Sequence, residues 1–386
     1  MPKPKKPRKA QSTVSRPVLA REVFTELNAT FYQDDPSEYL LTKIEALTLM
    51  LVADEILAPA YGADRKLGVA NFGGMQAPSR AARERYVRTE CVLLLHHSCE
   101  TLLRLFFAHA EKQDCPWIGM AASSNFAQFK EKVAAAVDGG FDRDTVARVF
   151  LGGTSPRDAS LHIDDEQFDE GVKAFQILLT VAGQTVLSES FLYNAAKHGL
   201  TIVESNTNFG LSAPDGRDIK LHSGPQLAYL HKPQSPGAKE GPEWHMSLTG
   251  TLPDRDIGVS VLVQRAVASL WDVARRRYLG QSGAIYLIAT AAVNDAVFGA
   301  AVQAGQHVRT FTLELPKKDS AGEFLETAQQ FAGPKIPPAD EWTPGASATG
   351  PTWTRVALPA RQRDKQIVST SRRSLLPISP DWASRG

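Results

Sequence analysis

The chain has 386 residues, 43% of them hydrophobic, enough to bury one large core or two modest ones. Its net charge is +1, but residues 1–9 carry +5 and residues 333–386 carry +4, which leaves the body at −8. An acidic body with basic ends argues against a domain that grips nucleic acid across its folded face, and leaves the N-terminal run as a solvated tail.

In chain order, residues 1–16 are rich in Pro and Lys and read as disordered. Amphipathic helices are expected over Val18–Tyr32 and Pro36–Ala60, the second keeping Leu40, Ile44, Leu47, Leu51 and Ile56 at helical spacing. A Gly-rich irregular stretch (61–78) leads into a long helix, Ser79–Lys112, stopped by Cys115-Pro116. Shorter helices follow near Phe126–Val137 and Asp142–Phe150. The next helix starts at the acidic Asp164-Asp165-Glu166 and runs to His198, with Ala182-Gly183 as a candidate bend and Gly199 as its stop.

The pattern then turns to period two. Strands are expected at 200–204, 208–212, 218–222, 226–231 and 243–251, with a turn at Pro214-Asp215-Gly216 and a Pro/Gly-rich loop over 233–242. A helix over Asp256–Leu279, an apolar helix over 284–304 and a strand over Val308–Leu315 complete this part. The 284–304 run is the one tested as a membrane span. Asn294-Asp295 at its centre costs about 2.5–3.5 kcal/mol for the Asp alone, so a buried helix of a cytoplasmic protein is expected. The fold class is therefore α+β, mainly α: a basic tail (1–16), a helical domain (17–199), a small antiparallel strand/helix unit (200–316), and a largely disordered Pro/Ser/Thr-rich tail (317–386).

Cys91, Cys99 and Cys115 sit in apolar surroundings and read as small buried hydrophobes of a reducing compartment, without the short spacing of a zinc site. Two polar groups stand out against the helices. The 79–112 helix is apolar nearly all round, yet carries His96, His97 and Glu100, with Arg104 four beyond the glutamate. Glu100 has either an internal partner in Arg104, with His97 a satisfied core histidine, or a reach to a second cluster, Tyr193, Asn194, Lys197 and His198, on the other long helix. In that cluster Asn194 and His198 share a face, suited to orienting an imidazole for proton transfer; Lys197, His198 and Gly199 equally suit a helix terminus. His222, His231 and His245 in successive strands read as surface residues, and the Gly-rich runs at 71–76 and 150–158 lack the Lys-Ser/Thr of a phosphate loop.

The stretch LLLHHSCETLLRLFFAHA, with its mid-helix Glu100, resembles the early helix of HEPN domains, and YNAAKHG resembles the end of a late HEPN helix. The resemblance covers two helices within residues 79–199. It implies a helical domain, homodimerisation through it, RNA or nucleotide as ligand, a place in bacterial defence or stress response, and metal-free chemistry without cofactor. Aligned on His198, Asn194 matches the family's polar position, whereas Tyr193 stands where active members carry an arginine.

Two functions follow as expectations. One is a non-catalytic or degenerate HEPN-like module that senses nucleotide or RNA, or binds a protein partner through 200–316, with no membrane role. The other is a HEPN-type ribonuclease with His198 as acid/base and Asn194 as its orienter, supported by Glu100, Lys197, His97, Arg104 and Tyr193. A metal-dependent hydrolase built on His97, Glu100 and His198 is a distant third.

Overall fold

A computed structural model describes residues 19–111, 114–122, 125–198, 201–212, 218–232, 243–299, 302, 308–332 and 353–364. The expectations for residues 1–16, for Gly199, Pro214-Asp215-Gly216 and 233–242, and for 333–352 and 365–386 of the tail lie outside them. Helices dominate, with small antiparallel sheets beside them, the expected mainly-α form of an α+β fold.

Residues 21–31 form one 3-10 turn and then α1 (Phe24–Phe31). Where one helix is expected over 36–60, two are found: α2 (Pro36–Leu49) and α3 (Asp54–Gly62). Asp35 starts α2 by accepting from the Ser37 amide at 2.8 Å, with Pro36 in the first turn. The break comes from Arg83, which is 2% exposed and donates to the Met50 and Val52 carbonyls at 2.5 and 2.9 Å while pairing with Asp54. A long-range guanidinium thus takes up the carbonyls at the helix end.

A two-residue hairpin, β1 (Lys66–Leu67) with β2 (Ala70–Asn71), precedes α4 (Arg80–Glu111), about 48 Å long. Then come α5 (Pro116–Ala122), α6 (Phe126–Gly139), α7 (Arg143–Phe150) and the single turn α8 (Pro156–Ala159). The Asp164 capping box with Gln167 starts α9 (Asp165–Ser188). The expected helix to His198 is broken instead at Glu189, where the chain bends by 64° into α10 (Ser190–Lys197). Gly183 is not the hinge. A Cβ there would lie 2.4 Å from Val137 Cγ2, so the glycine admits α6 against α9.

The large sheet has strand order β3 (Ile202–Ser212), β4 (Asp218–His231), β5 (His245–Gly250), β7 (Thr310–Glu314) and β8 (Gln329–Ala332), all antiparallel. Between β5 and β7 the chain makes α11 (Pro253–Leu279), β6 (Gly283–Ile288), α12 (Thr290–Asn294) and a π turn to Gly299. The apolar stretch expected as a helix over 284–304 therefore begins as a strand. Its partner is β9 (Trp353–Leu358), in the tail expected to be disordered. An apolar run of six does not distinguish strand from helix by periodicity, and the partner lies some seventy residues away. On its other side β6 meets α11, whose Asp272 and Ser269 accept from the Ala284 and Tyr286 amides at 2.8 Å each.

α11 belongs to the helical core although it follows residue 199. Leu262, Val263, Val267, Leu270 and Trp271 join Leu95, Leu102, Phe150, Phe175 and Ile285 in one continuous cluster. At its far end the fully buried Arg276 donates to the Ala159 and Gly152 carbonyls (2.6 and 3.2 Å), which gives the 150–158 run a structural use. A smaller cluster of Val92, Leu192, Ala195, Leu227 and Tyr229 seats β4 on α4 and α10. The three cysteines are free and buried.

Candidate functional site

Glu100 forms its ion pair within α4, to Arg104 at 2.7 Å, and Arg104 also covers the Phe129 ring at 4.1 Å. Glu100 makes no hydrogen bond to Asn194, Lys197 or His198 among the described residues. The two helices meet instead through an aromatic pair: His96, fully buried, stacks on Tyr193 with ring centres 3.9 Å apart and planes 7° from parallel. Lys197 Nζ lies 5.3 Å from the centre of the same tyrosine ring. Tyr193 is thus a packing surface for a buried imidazole. Burial pushes His96 down to about 4, so it is neutral near pH 7. His97 meets Tyr39 of α2 in a T-shaped ring contact and is lowered by burial and then by the Lys43 charge. Asn194 and His198 are both exposed. The His198 amide donates to the Asn194 carbonyl at 2.9 Å, which closes the end of α10.

The main concavity lies elsewhere. A cleft of about 1140 Å³ opens between α9 and one face of the five-stranded sheet. Lys173, Gln176, Thr180, Gln184 and Ser188, at helical spacing, form the α9 wall. Opposite them the period-two rule brings Tyr229, His231, Ser247, Thr310 and Thr312 to one sheet face. This face is largely enclosed yet polar, which is the informative departure from a hydrophobic interior. Hydroxyls pair across the strands: Ser247 Oγ lies 2.7 Å from Thr312 Oγ1, and Thr249 Oγ1 lies 3.0 Å from Thr310 Oγ1.

A cluster of four charges underlies the cleft, three of them on its lining. Glu189 sits at the α9–α10 bend, Arg255 and Asp256 in the first turn of α11, and Arg309 just before β7. Arg309 grips Glu189 as a fork, Nε to Oε1 at 2.6 Å and Nη2 to Oε2 at 3.1 Å, and reaches Asp256 Oδ1 at 3.3 Å. Arg255 donates to Asp256 Oδ1 at 3.0 Å and to the Val297 carbonyl at 3.1 Å. Burial opposes the Glu189 carboxylate, but the Arg309 charge and fork, with Arg255, hold it below its ordinary value. Burial raises Asp256 against the same two arginines. The Asp256 and Glu189 charges outweigh burial at Arg309 and keep it cationic, whereas burial and Arg309 lower Arg255.

One pair in the cleft resembles catalytic machinery. His231 Nε2 lies 2.9 Å from Ser247 Oγ, and burial, then His245, lowers the imidazole. Its Nδ1 is sealed without a partner, so no carboxylate orients the ring, and Ser247 is 1% exposed. The pair is part of the hydroxyl ladder. His231 also stacks on Phe191 at 4.5 Å and on His245 at 5.7 Å. His231 and His245 are half-buried; His222, expected at the surface, is buried. Among the described residues no three His, Cys, Asp or Glu side chains converge as a metal-ligand set.

Sequence reasoning missed Glu189, Arg255, Asp256 and Arg309. They come from three separate segments with no shared spacing. One local signal was present: Asp254 and Asp256 flank an arginine just after Pro253, where a solvent-facing helix start would bear acids alone. A scan of the chain against protein-family models, and searches among curated proteins and solved structures, return no match.

Proposed function

We propose that this protein is a non-catalytic sensing module that binds a small molecule in the cleft between α9 and the sheet, within a HEPN-like helical framework of the cytoplasm. The observation that carries the reading is the cleft: about 1140 Å³, with polar side chains among apolar ones on both walls and Arg255, Arg309 and Glu189 converging at its floor. That volume lies just above the usual span of small-molecule sites, about 300–1,000 Å³, and leaves room for a ligand of metabolite or nucleotide size. Non-catalytic function is favoured over ribonuclease action by the other helix end. Tyr193 is committed to His96, Glu100 to Arg104, and His198 closes a helix in solvent. A cytoplasmic setting draws support from α4 and α11. Both are long and apolar enough to cross a membrane, yet 72% and 67% of their apolar windows are buried inside the fold.

The test has two arms. Purified protein is screened against a metabolite library by thermal shift, and hits are repeated on Thr180→Trp, which fills the cleft from the α9 wall. A ligand that raises the melting temperature of the wild type and not of the filled variant is the expected result. In the second arm, wild type and His198→Ala are incubated with labelled RNA. Cleavage by the wild type that disappears in His198→Ala would replace this reading with the ribonuclease.

A further inference from the structure

We infer that the floor of the cleft is a seat for an oxyanion, the phosphate or carboxylate of a small ring-bearing molecule, held between the guanidinium ends of Arg255 and Arg309. The inference rests on the cleft being a ligand site and adds what the ligand must carry.

The argument begins with the hydrogen-bond count. A guanidinium offers five N–H donors. Arg309 uses Nε and Nη2 on Glu189 and Asp256, and its Nη1 is shut off from solvent with no acceptor. Arg255 uses Nε on Val297 and Nη1 on Asp256, and its Nη2 has no partner among the described residues. Two amino ends beside one floor are therefore without acceptors, where an unmade bond to a charged donor is costly; that of Arg255 is not sealed, whereas that of Arg309 is sealed and meets a ligand oxygen only after a side-chain shift. Acceptors on the protein side are nearly exhausted. Both Glu189 oxygens are taken by the Arg309 fork. Asp256 keeps Oδ2 free, but it is 1% exposed and is not among the residues that line the cleft.

Charge points the same way. The cleft wall carries Lys173, Arg255 and Arg309 against Glu189 alone. The four charges of the cluster cancel, so an anion is recognised by directed donors, first the Arg255 amino end, and Lys173 supplies the excess positive charge. A phosphate or carboxylate has the paired oxygens that such planar donors match. Above the floor, Phe191 is 38% exposed and stacks flat on His231, with planes 27° apart. An exposed aromatic face beside a polar wall accepts a further planar ring.

The experiment uses the full-length protein and isothermal titration with matched probes: adenosine 5′-monophosphate against adenosine, and indole-3-acetate against indole-3-acetamide. In at least one pair the anion is expected to bind tenfold or more tightly than its neutral partner. Preference in the first pair identifies a phosphate, in the second a carboxylate. Arg255→Gln, which keeps an amide for Asp256, is expected to abolish the preference, with folding checked by its melting curve. Arg309→Lys, which keeps the charge and loses the fork, is expected to reduce it at least threefold. The wild-type comparison stands on its own should either variant misfold. Equal binding of anion and neutral partner overturns the oxyanion seat and leaves the cleft reading intact. So does a library in which only neutral ligands are lost on Thr180→Trp. If no ligand of any kind is sensitive to Thr180→Trp, both fall.

Discussion

His109 shows how a core histidine is satisfied. Its Nδ1 faces the Leu105 carbonyl at 2.7 Å and must donate; Nε2 then accepts from the Tyr32 hydroxyl at 2.9 Å. Burial pushes it down to about 4, the same value as His96, which has a ring stack but no hydrogen-bond partner for either nitrogen. Both fold neutral. The unfolded chain takes up protons near the ordinary 6.5, whereas the folded imidazoles resist until about 4. Their contribution is therefore complete above 6.5 and is lost as pH falls through that window, by about 1.4 kcal/mol per unit for each group. Melting curves between pH 7 and 4.5 should show a steady loss of stability. His96→Phe, which keeps the stack on Tyr193, should show a clearly shallower loss; an unchanged slope would remove His96 as a source. At this scale the sequence was half legible. The pairing of Glu100 with Arg104 follows from spacing on one helix, whereas the stack of His96 on Tyr193 needs the meeting of two helices.

At the scale of elements, a single strong period was a reliable guide. The amphipathic helices and most strands of the large sheet appear near their expected places, because each carries its period in its own residues; β8 does not, lying in the tail expected to be disordered. Ends and bends set by distant side chains did not show: Arg83 divides the 36–60 helix, and Glu189, held by Arg309, marks the bend after α9. Gly183 was the wrong hinge for a physical reason, the pressure of Val137 above it. Gly183→Ala should gain up to about 1 kcal/mol of helix propensity and lose about 1–3 kcal/mol to overpacking, for a net lower melting temperature. Val137→Ala added to Gly183→Ala should couple favourably, the double variant losing less than the sum of the single changes. Simple additivity in the double-mutant cycle would show that α6 does not press there.

For the whole molecule, the decisive fact is where α11 packs. Residues 17–199 include every helix of the expected first domain, but their core is completed by Leu262, Val267, Leu270 and Trp271 from beyond it. A fragment of 17–199 should therefore lack a cooperative melting transition and bind hydrophobic dyes, while the full chain melts in one transition at the same concentration. A fragment that melts sharply on its own would restore the boundary at 199. The cleft was illegible for the same reason. Its walls and floor come from α9, α11, α12 and four strands, and no local window contains even half of them.

The strand β6 has a further bearing on how the protein behaves at high concentration. One side of it is taken by β9, and on the other side the amides of Ala284 and Tyr286 are bound by Ser269 and Asp272 of α11. A strand so enclosed has no row of open amides to template a neighbouring chain. The small sheet can grow only past β9, so any self-association by strand addition there must begin at that strand.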